Sequence, residues 1–130
     1  MKLTMIFSFL LASLFSCQPK QQREAYTSLA VDEFAALLAR PDVQRVDVRP
    51  VAEYSEGHIP GSLNINVLDE ASFLRVAQST LQTAHPVALY CRSGKRSKRA
   101  AQLLARQGYR VYELREGFAA WRASGGEVVR

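Results

Sequence analysis

Cys91 opens a short basic loop, Cys91-Arg92-Ser93-Gly94-Lys95-Arg96-Ser97, whose residue types suit nucleophilic sulfur chemistry on an anionic substrate. Gly94 frees the backbone to take conformations closed to other residues, so successive N–H groups can turn toward one point. Ser97 is placed to cap a following helix through its hydroxyl. The unpaired N–H groups of that helix start act with the effect of about half a positive charge. Arg92, Lys95 and Arg96 add full charges beside it. The expected product is an anion cradle with a sulfur at its base. A buried structural cysteine ahead of a solvated charge run would not need this combination.

Such a setting favours the thiolate. A free cysteine titrates near ~8.5, and helix termini with basic neighbours bring this to roughly 3.5–7.5. A fall of about two units raises the thiolate fraction at neutral pH about twenty-five-fold. Intrinsic nucleophilicity falls along a Brønsted slope of about 0.4–0.5, which takes back roughly six- to tenfold. The net gain is only a few-fold. The loop's larger task is therefore expected to be holding an anionic substrate and stabilising charge on the departing group.

Such a loop must sit at the end of a rigid strand. Val87-Ala88-Leu89-Tyr90 is a continuous apolar run, as a strand buried on both faces requires. The spacing predicts a helix from Ser97 to Gln107, with Ala100, Leu103 and Leu104 inward and Gly108 placed to end it. Apolar positions 31, 34, 35, 37 and 38 predict a helix from Val31 to Ala39, with Pro41 just beyond. Gln44 to Arg49 alternates polar and apolar and reads as a strand. Leu63 to Val67 and Arg110 to Leu114 are two more strand candidates, and Asp69 to Leu81 reads as a helix with Phe73, Leu74, Ala77 and Leu81 on one face. Strands alternating with helices imply an α/β fold with a parallel sheet covered on both faces. Ligands of such sheets bind beyond the carboxyl ends of the strands, where Cys91 lies.

The first residues carry a different signal. Met1-Lys2 is a short positive start, and Leu3 to Phe15 is almost wholly apolar. That run is shorter than the roughly 20 residues of a spanning helix, so residues 1–16 are expected to be an export signal. Leu14-Phe15-Ser16-Cys17 resembles the lipobox of bacterial lipoproteins, which makes Cys17 the lipidation candidate. Residues 17–27 are assigned as a lipidated cysteine and polar tether, and residues 28–130 as one domain. The expected location is exported and periplasmic, with the protein anchored to the membrane through lipid. Loss of residues 1–16 leaves 114, enough for one core, and lowers the net charge from +5 to +4. Five basic residues fall between Arg92 and Arg99, a local cluster that suits a small anionic ligand and not nucleic acid. Two cysteines and two histidines at these spacings make no metal site. With Cys17 lipidated, Cys91 has no disulfide partner, and a lone thiol in an exported chain calls for a function.

From Ser28 to Val129 the chain resembles the rhodanese family. The residues Cys91 to Ser97 are similar to that family's active-site loop. Asp47-Val48-Arg49, Glu53-Tyr54 and Gly57-His58-Ile59-Pro60-Gly61-Ser62-Leu63-Asn64 resemble a second signature. Glu116-Gly117-Phe118-Ala119-Ala120-Trp121 resembles a closing one, with Glu116 in place of a first glycine. Ser62 replaces a usual alanine, and Ala30 stands where a capping Ser or Thr is common. The resemblance implies a rhodanese-like fold, a five-stranded parallel sheet with helices on both faces. It implies an enzyme of the thiosulfate sulfurtransferase type that works without a cofactor. Cys91 would take sulfur from a small anionic donor as a persulfide and surrender it to a thiol or protein acceptor. Arg92, Ser93, Gly94, Lys95, Arg96 and Ser97 would bind the donor.

The remaining motif residues have supporting parts. Asp47 ends a strand near the loop and is expected to orient Arg49 or a loop donor; Arg49 and Glu53 are placed to pair. His58 precedes a turn and reads as structural, since a preformed thiolate needs no base. Trp121 reads as a core anchor. Two rival functions stand beside sulfur transfer. Cysteine phosphatase or arsenate reductase chemistry uses Cys-x5-Arg, but here Ser97 occupies the sixth position after Cys91 and Arg96 the fifth. A persulfide carrier that binds sulfur without turnover would need the same loop.

Overall fold

A computed structural model of the protein describes residues 25–130. The expected export signal, the candidate Cys17 and the tether as far as residue 24 lie outside the described residues.

Five short strands, β1 (Thr27–Leu29), β2 (Gln44–Asp47), β3 (Leu63–Asn64), β4 (Val87–Tyr90) and β5 (Val111–Leu114), form one sheet in the order β1-β5-β4-β2-β3. Every pairing is parallel. The helices are α1 (Val31–Leu38), α2 (Val51–Glu56), α3 (Glu70–Thr80), α4 (Lys95–Arg106) and α5 (Gly117–Ala123). The expected α/β architecture is therefore the observed one.

β4 is the middle strand, and its sequence is apolar on both faces because both faces are covered. Val87 and Leu89 join Val46, Phe73, Ala77, Ala100 and Leu104 in a core under α3 and α4. Ala88 and Tyr90 face the other way, into a core with Phe34, Leu38, Phe118 and Trp121 from α1 and α5. Strand alternation thus splits one four-residue run between two hydrophobic layers. Cys91 continues the alternation on the α3–α4 side.

Boundaries follow local chemistry. Asp69 caps α3, its carboxylate accepting from the Ser72 N–H at 3.2 Å. β3 is shorter than the Leu63–Val67 run, although the Ile65 and Val67 N–H groups still bond Asp47 and Val48 at 2.9 and 3.1 Å. Tyr26 is buried and Thr27 pairs with Tyr112, because β5 offers a free edge that β1 completes.

Candidate active site

Cys91 follows β4 directly, and the chain then turns into α4 within three residues. Gly94 makes the turn possible: its φ is +94°, and a Cβ there would lie 2.0 Å from the Arg115 carbonyl oxygen. Its N–H points back at the Cys91 Sγ at 3.1 Å. The helix therefore begins at Lys95 with Gly94 as N-cap, two residues before the expected start. Ser97 is not the cap. It lies inside the first turn, fully buried, and its hydroxyl donates to Glu113 Oε2 at 2.8 Å.

The thiol feels opposing influences. Burial pushes it up, since Cys91 is wholly covered, while the Ser97 hydroxyl and the N–H groups of Ser97, Gly94 and Ser93 pull it down. The hydrogen bonds win, and the thiol sits below the ordinary cysteine value. The groups acting on the sulfur are thus mainly amides and one hydroxyl. The sulfur lies beneath the surface, not at an open mouth.

The basic residues divide their tasks. Arg92 is exposed and lines a cleft of about 440 Å³ with Arg49, Glu53, Gly57, Phe118 and Arg122. Arg96 grips Glu53 through two bonds of 2.8 and 3.0 Å, and its charge also acts on Cys91. That guanidinium holds the Glu53 carboxyl below its usual range, with Arg49 and Arg92 assisting. Lys95 and Ser93 are exposed.

The expected Arg49–Glu53 pair does not form. Arg49 instead pairs with Asp47, both fully or nearly buried, at 2.6 Å between Nη2 and Oδ2. A second Arg49 bond reaches the Gly57 carbonyl at 2.7 Å, and its guanidinium lies 4.3 Å from the centre of the Phe118 ring. Asp47 is two residues away and desolvated, so it outcompetes the more exposed Glu53, which the fork of Arg96 then claims. Asp47 thus orients Arg49. His58 takes a structural part: its ring stacks on Tyr54 at 3.7 Å, its Nδ1 lies 2.9 Å from the Tyr54 carbonyl, and its backbone bridges Val129.

The closing segment holds the loop from the other side. The α5 N–H groups of Phe118 and Ala119 donate to the carbonyls of Cys91 and Arg92 at 2.8 and 3.0 Å. Gly117, with φ +74°, permits this approach. Trp121 anchors the helix, edge-on to Phe34, with its indole N–H on the Glu127 carbonyl at 2.9 Å. Among the described residues no group of three or more His, Cys, Asp or Glu side chains could hold a metal ion.

The model of the rhodanese-like domain matches residues 30–124. The chain belongs to the rhodanese-like domain family. It is 36% identical over 124 residues to the uncharacterized protein YqhL of Bacillus subtilis, covering 95% of this chain and 90% of that one. It is 34% identical over 98 residues to the thiosulfate sulfurtransferase GlpE of Shewanella oneidensis, covering 75% of this chain and 93% of that one. Among solved structures it resembles a rhodanese-related protein of Thermoplasma volcanium with a TM-score of 0.70 and 27% identity, covering 80% and 98% of the two chains.

In this rhodanese-like domain the sequence-selected residues split into two groups. Cys91, Gly94 and Ser97 converge on the sulfur, and Arg92 lines the adjoining cleft. Arg49 lines the same cleft and is held by Asp47, while His58 stacks on Tyr54. Sequence reading missed Glu113, which is fully buried beside Ser97. A signal was present: one acid in an apolar strand, at the inward spacing set by Val111.

Proposed function

We propose that the chain is a sulfurtransferase that carries sulfane sulfur on Cys91. The observation that carries this reading is a free thiol at a strand's carboxyl end, with the Gly94 N–H at 3.1 Å and its titration lowered by hydrogen bonds. Donor chemistry comes from the relatives named thiosulfate sulfurtransferases. The Cys91 thiolate attacks the outer sulfur of thiosulfate; the S–S bond breaks, and sulfite leaves with the bonding pair. The Cys91 persulfide keeps one negative charge, which the loop N–H groups and Ser97 stabilise. Cyanide or a thiolate then takes the outer sulfur and regenerates the Cys91 thiolate. Arg92 draws the anionic donor to the cleft.

One observation favours a second reading. Cys91 has no exposed surface. A persulfide formed there would be shielded, as in a carrier that unloads only to a specific partner. Intact mass after thiosulfate treatment, followed by cyanide, tests both. Gain of one sulfur on the wild type but not on Cys91→Ala, with thiocyanate released repeatedly, supports the enzyme. A stable added sulfur without turnover supports the carrier, and no added sulfur sinks both.

Export and lipid anchoring through Cys17 complete the proposal. They rest on residues 1–17 of the sequence alone. Membrane fractionation of the full chain against Cys17→Ser tests them, with release of the variant from the membrane as the expected result.

A further inference from the structure

Glu113 has no place in the sulfur chemistry so far, yet it is fully buried within two residues' reach of Cys91 along the sheet. β5 pairs with β4 so that Glu113 stands beside Leu89, on the face that Cys91 continues. Its carboxylate gathers three donors. The Ser28 hydroxyl from β1 donates to Oε1, the Ser97 hydroxyl donates to Oε2 at 2.8 Å, and the Lys98 ammonium lies 3.2 Å from Oε1. Ser97 lies buried in the first turn of α4, three residues beyond the Gly94 N–H that donates to the Cys91 Sγ at 3.1 Å, and its hydroxyl and N–H help hold the thiol below its ordinary value.

A serine hydroxyl has one proton and two lone pairs. Ser97 therefore cannot donate to Glu113 and to Cys91 at once. With Cys91 as a thiol, the S–H can donate to the Ser97 oxygen while Ser97 donates to Glu113. With Cys91 as a thiolate or persulfide, the sulfur can only accept, and it competes with the carboxylate for the same proton. Glu113 can release that proton without being orphaned, because Ser28 and Lys98 remain on it.

We propose that Glu113 is a positioning residue that acts on Cys91 through Ser97, holding the Ser97 hydroxyl until negative charge on sulfur draws it across. No proton changes owner in this step; one hydrogen bond exchanges its acceptor. The proposal rests on Cys91 being the sulfur nucleophile. It assigns Ser28 a part as well, since each donor on Glu113 weakens its hold on Ser97. Of the other charged groups around the sulfur, Arg96 of α4 pairs with Glu53 while its charge also reaches Cys91, Arg115 beyond β5 donates to the Ser28 carbonyl at 2.9 Å, and Arg92 and Lys95 are exposed. Lys98 remains on Glu113 in both states.

The test is the pH profile of Cys91 alkylation by iodoacetamide in the full chain, read on the Cys91 peptide by mass spectrometry. Glu113→Gln is expected to move the midpoint down by about one pH unit, because a competing anion is removed. Ser28→Ala changes no charge and alters only an edge strand, so it keeps the test alive if Glu113→Gln fails to fold. It is expected to move the midpoint up by about half a pH unit, as Glu113 tightens on Ser97. The Ser28→Ala shift is expected to vanish in a Ser97→Ala background, as an interaction relayed through that hydroxyl must, and the Glu113→Gln shift is expected to shrink to the part due to the lost charge. A Ser28→Ala shift that persists without Ser97, or a Ser28→Ala midpoint equal to wild type, overturns the proposal. Failure of the wild type to gain sulfur from thiosulfate would instead overturn the role of Cys91 and leave these midpoints interpretable.

Discussion

Replacing Gly117 by alanine separates two effects that glycine substitutions usually mix. Gly117 (φ +74°) and Gly108 (φ +92°) both lie in the left-handed region, where alanine is less favourable by about 1 kcal/mol. At Gly108 an added Cβ meets nothing within 4 Å. At Gly117 it would lie 2.3 Å from the Arg92 carbonyl oxygen and 2.6 Å from the Ser93 nitrogen. These are backbone atoms, so about 1 Å of extra room must come from moving α5 or the loop. That movement strains the bonds from Phe118 and Ala119 to the Cys91 and Arg92 carbonyls, each contributing about 1 kcal/mol. Gly108→Ala should therefore lower stability by about 1 kcal/mol, and Gly117→Ala by about 3 kcal/mol. Urea unfolding followed by circular dichroism measures both. Sulfur loading from thiosulfate should fall more than about tenfold in Gly117→Ala, because the displaced carbonyls belong to the loop. It should be unchanged in Gly108→Ala. Equal stability losses would refute the argument that close approach, and not the positive φ alone, locks the loop.

Two further outcomes follow from the site. The lowered thiol implies that alkylation of Cys91 reaches half its maximal rate at a lower pH in the folded chain than in the urea-unfolded chain. The same depressed value contributes stability that is present above the unfolded value and lost as pH falls through the folded one. Denaturant midpoints of the wild type should therefore rise across that interval more than those of Cys91→Ala. Asp47→Asn leaves the buried Arg49 charge without its partner, a loss of about 3 kcal/mol; adding Arg49→Met should restore part of it in the same urea titration.

The sequence exposed what periodicity can reveal. β4, α1 and α3 were legible because their apolar residues repeat at the spacing of the faces they bury. β1, α2 and α5 were not. β1 has three residues and gains its place only by pairing with β5. α2 buries none of its residues, so it leaves no apolar stripe. α5 packs Gly117 and Phe118 against the loop, a contact invisible before the chain folds. At the site, Cys91 and Gly94 were readable because a thiol at a strand end and a glycine in a tight turn have local reasons. Partner choice was not local. Glu53 is four residues from Arg49 and forty-three from Arg96, yet it pairs with Arg96 because Asp47 already occupies Arg49. Ser97 looked like a cap because Gly94's left-handed turn, which starts the helix earlier, cannot be seen from residue types alone.

The complete covering of Cys91 has a consequence for oxidative damage. A thiol with lowered titration is the form that peroxides convert to sulfenic and then irreversible acids. A covered sulfur is shielded from peroxide and from donor alike. Access to the sulfur therefore governs two rates together, that of the proposed sulfur loading and that of irreversible loss. Any substitution that loosens the cover to hasten one hastens the other.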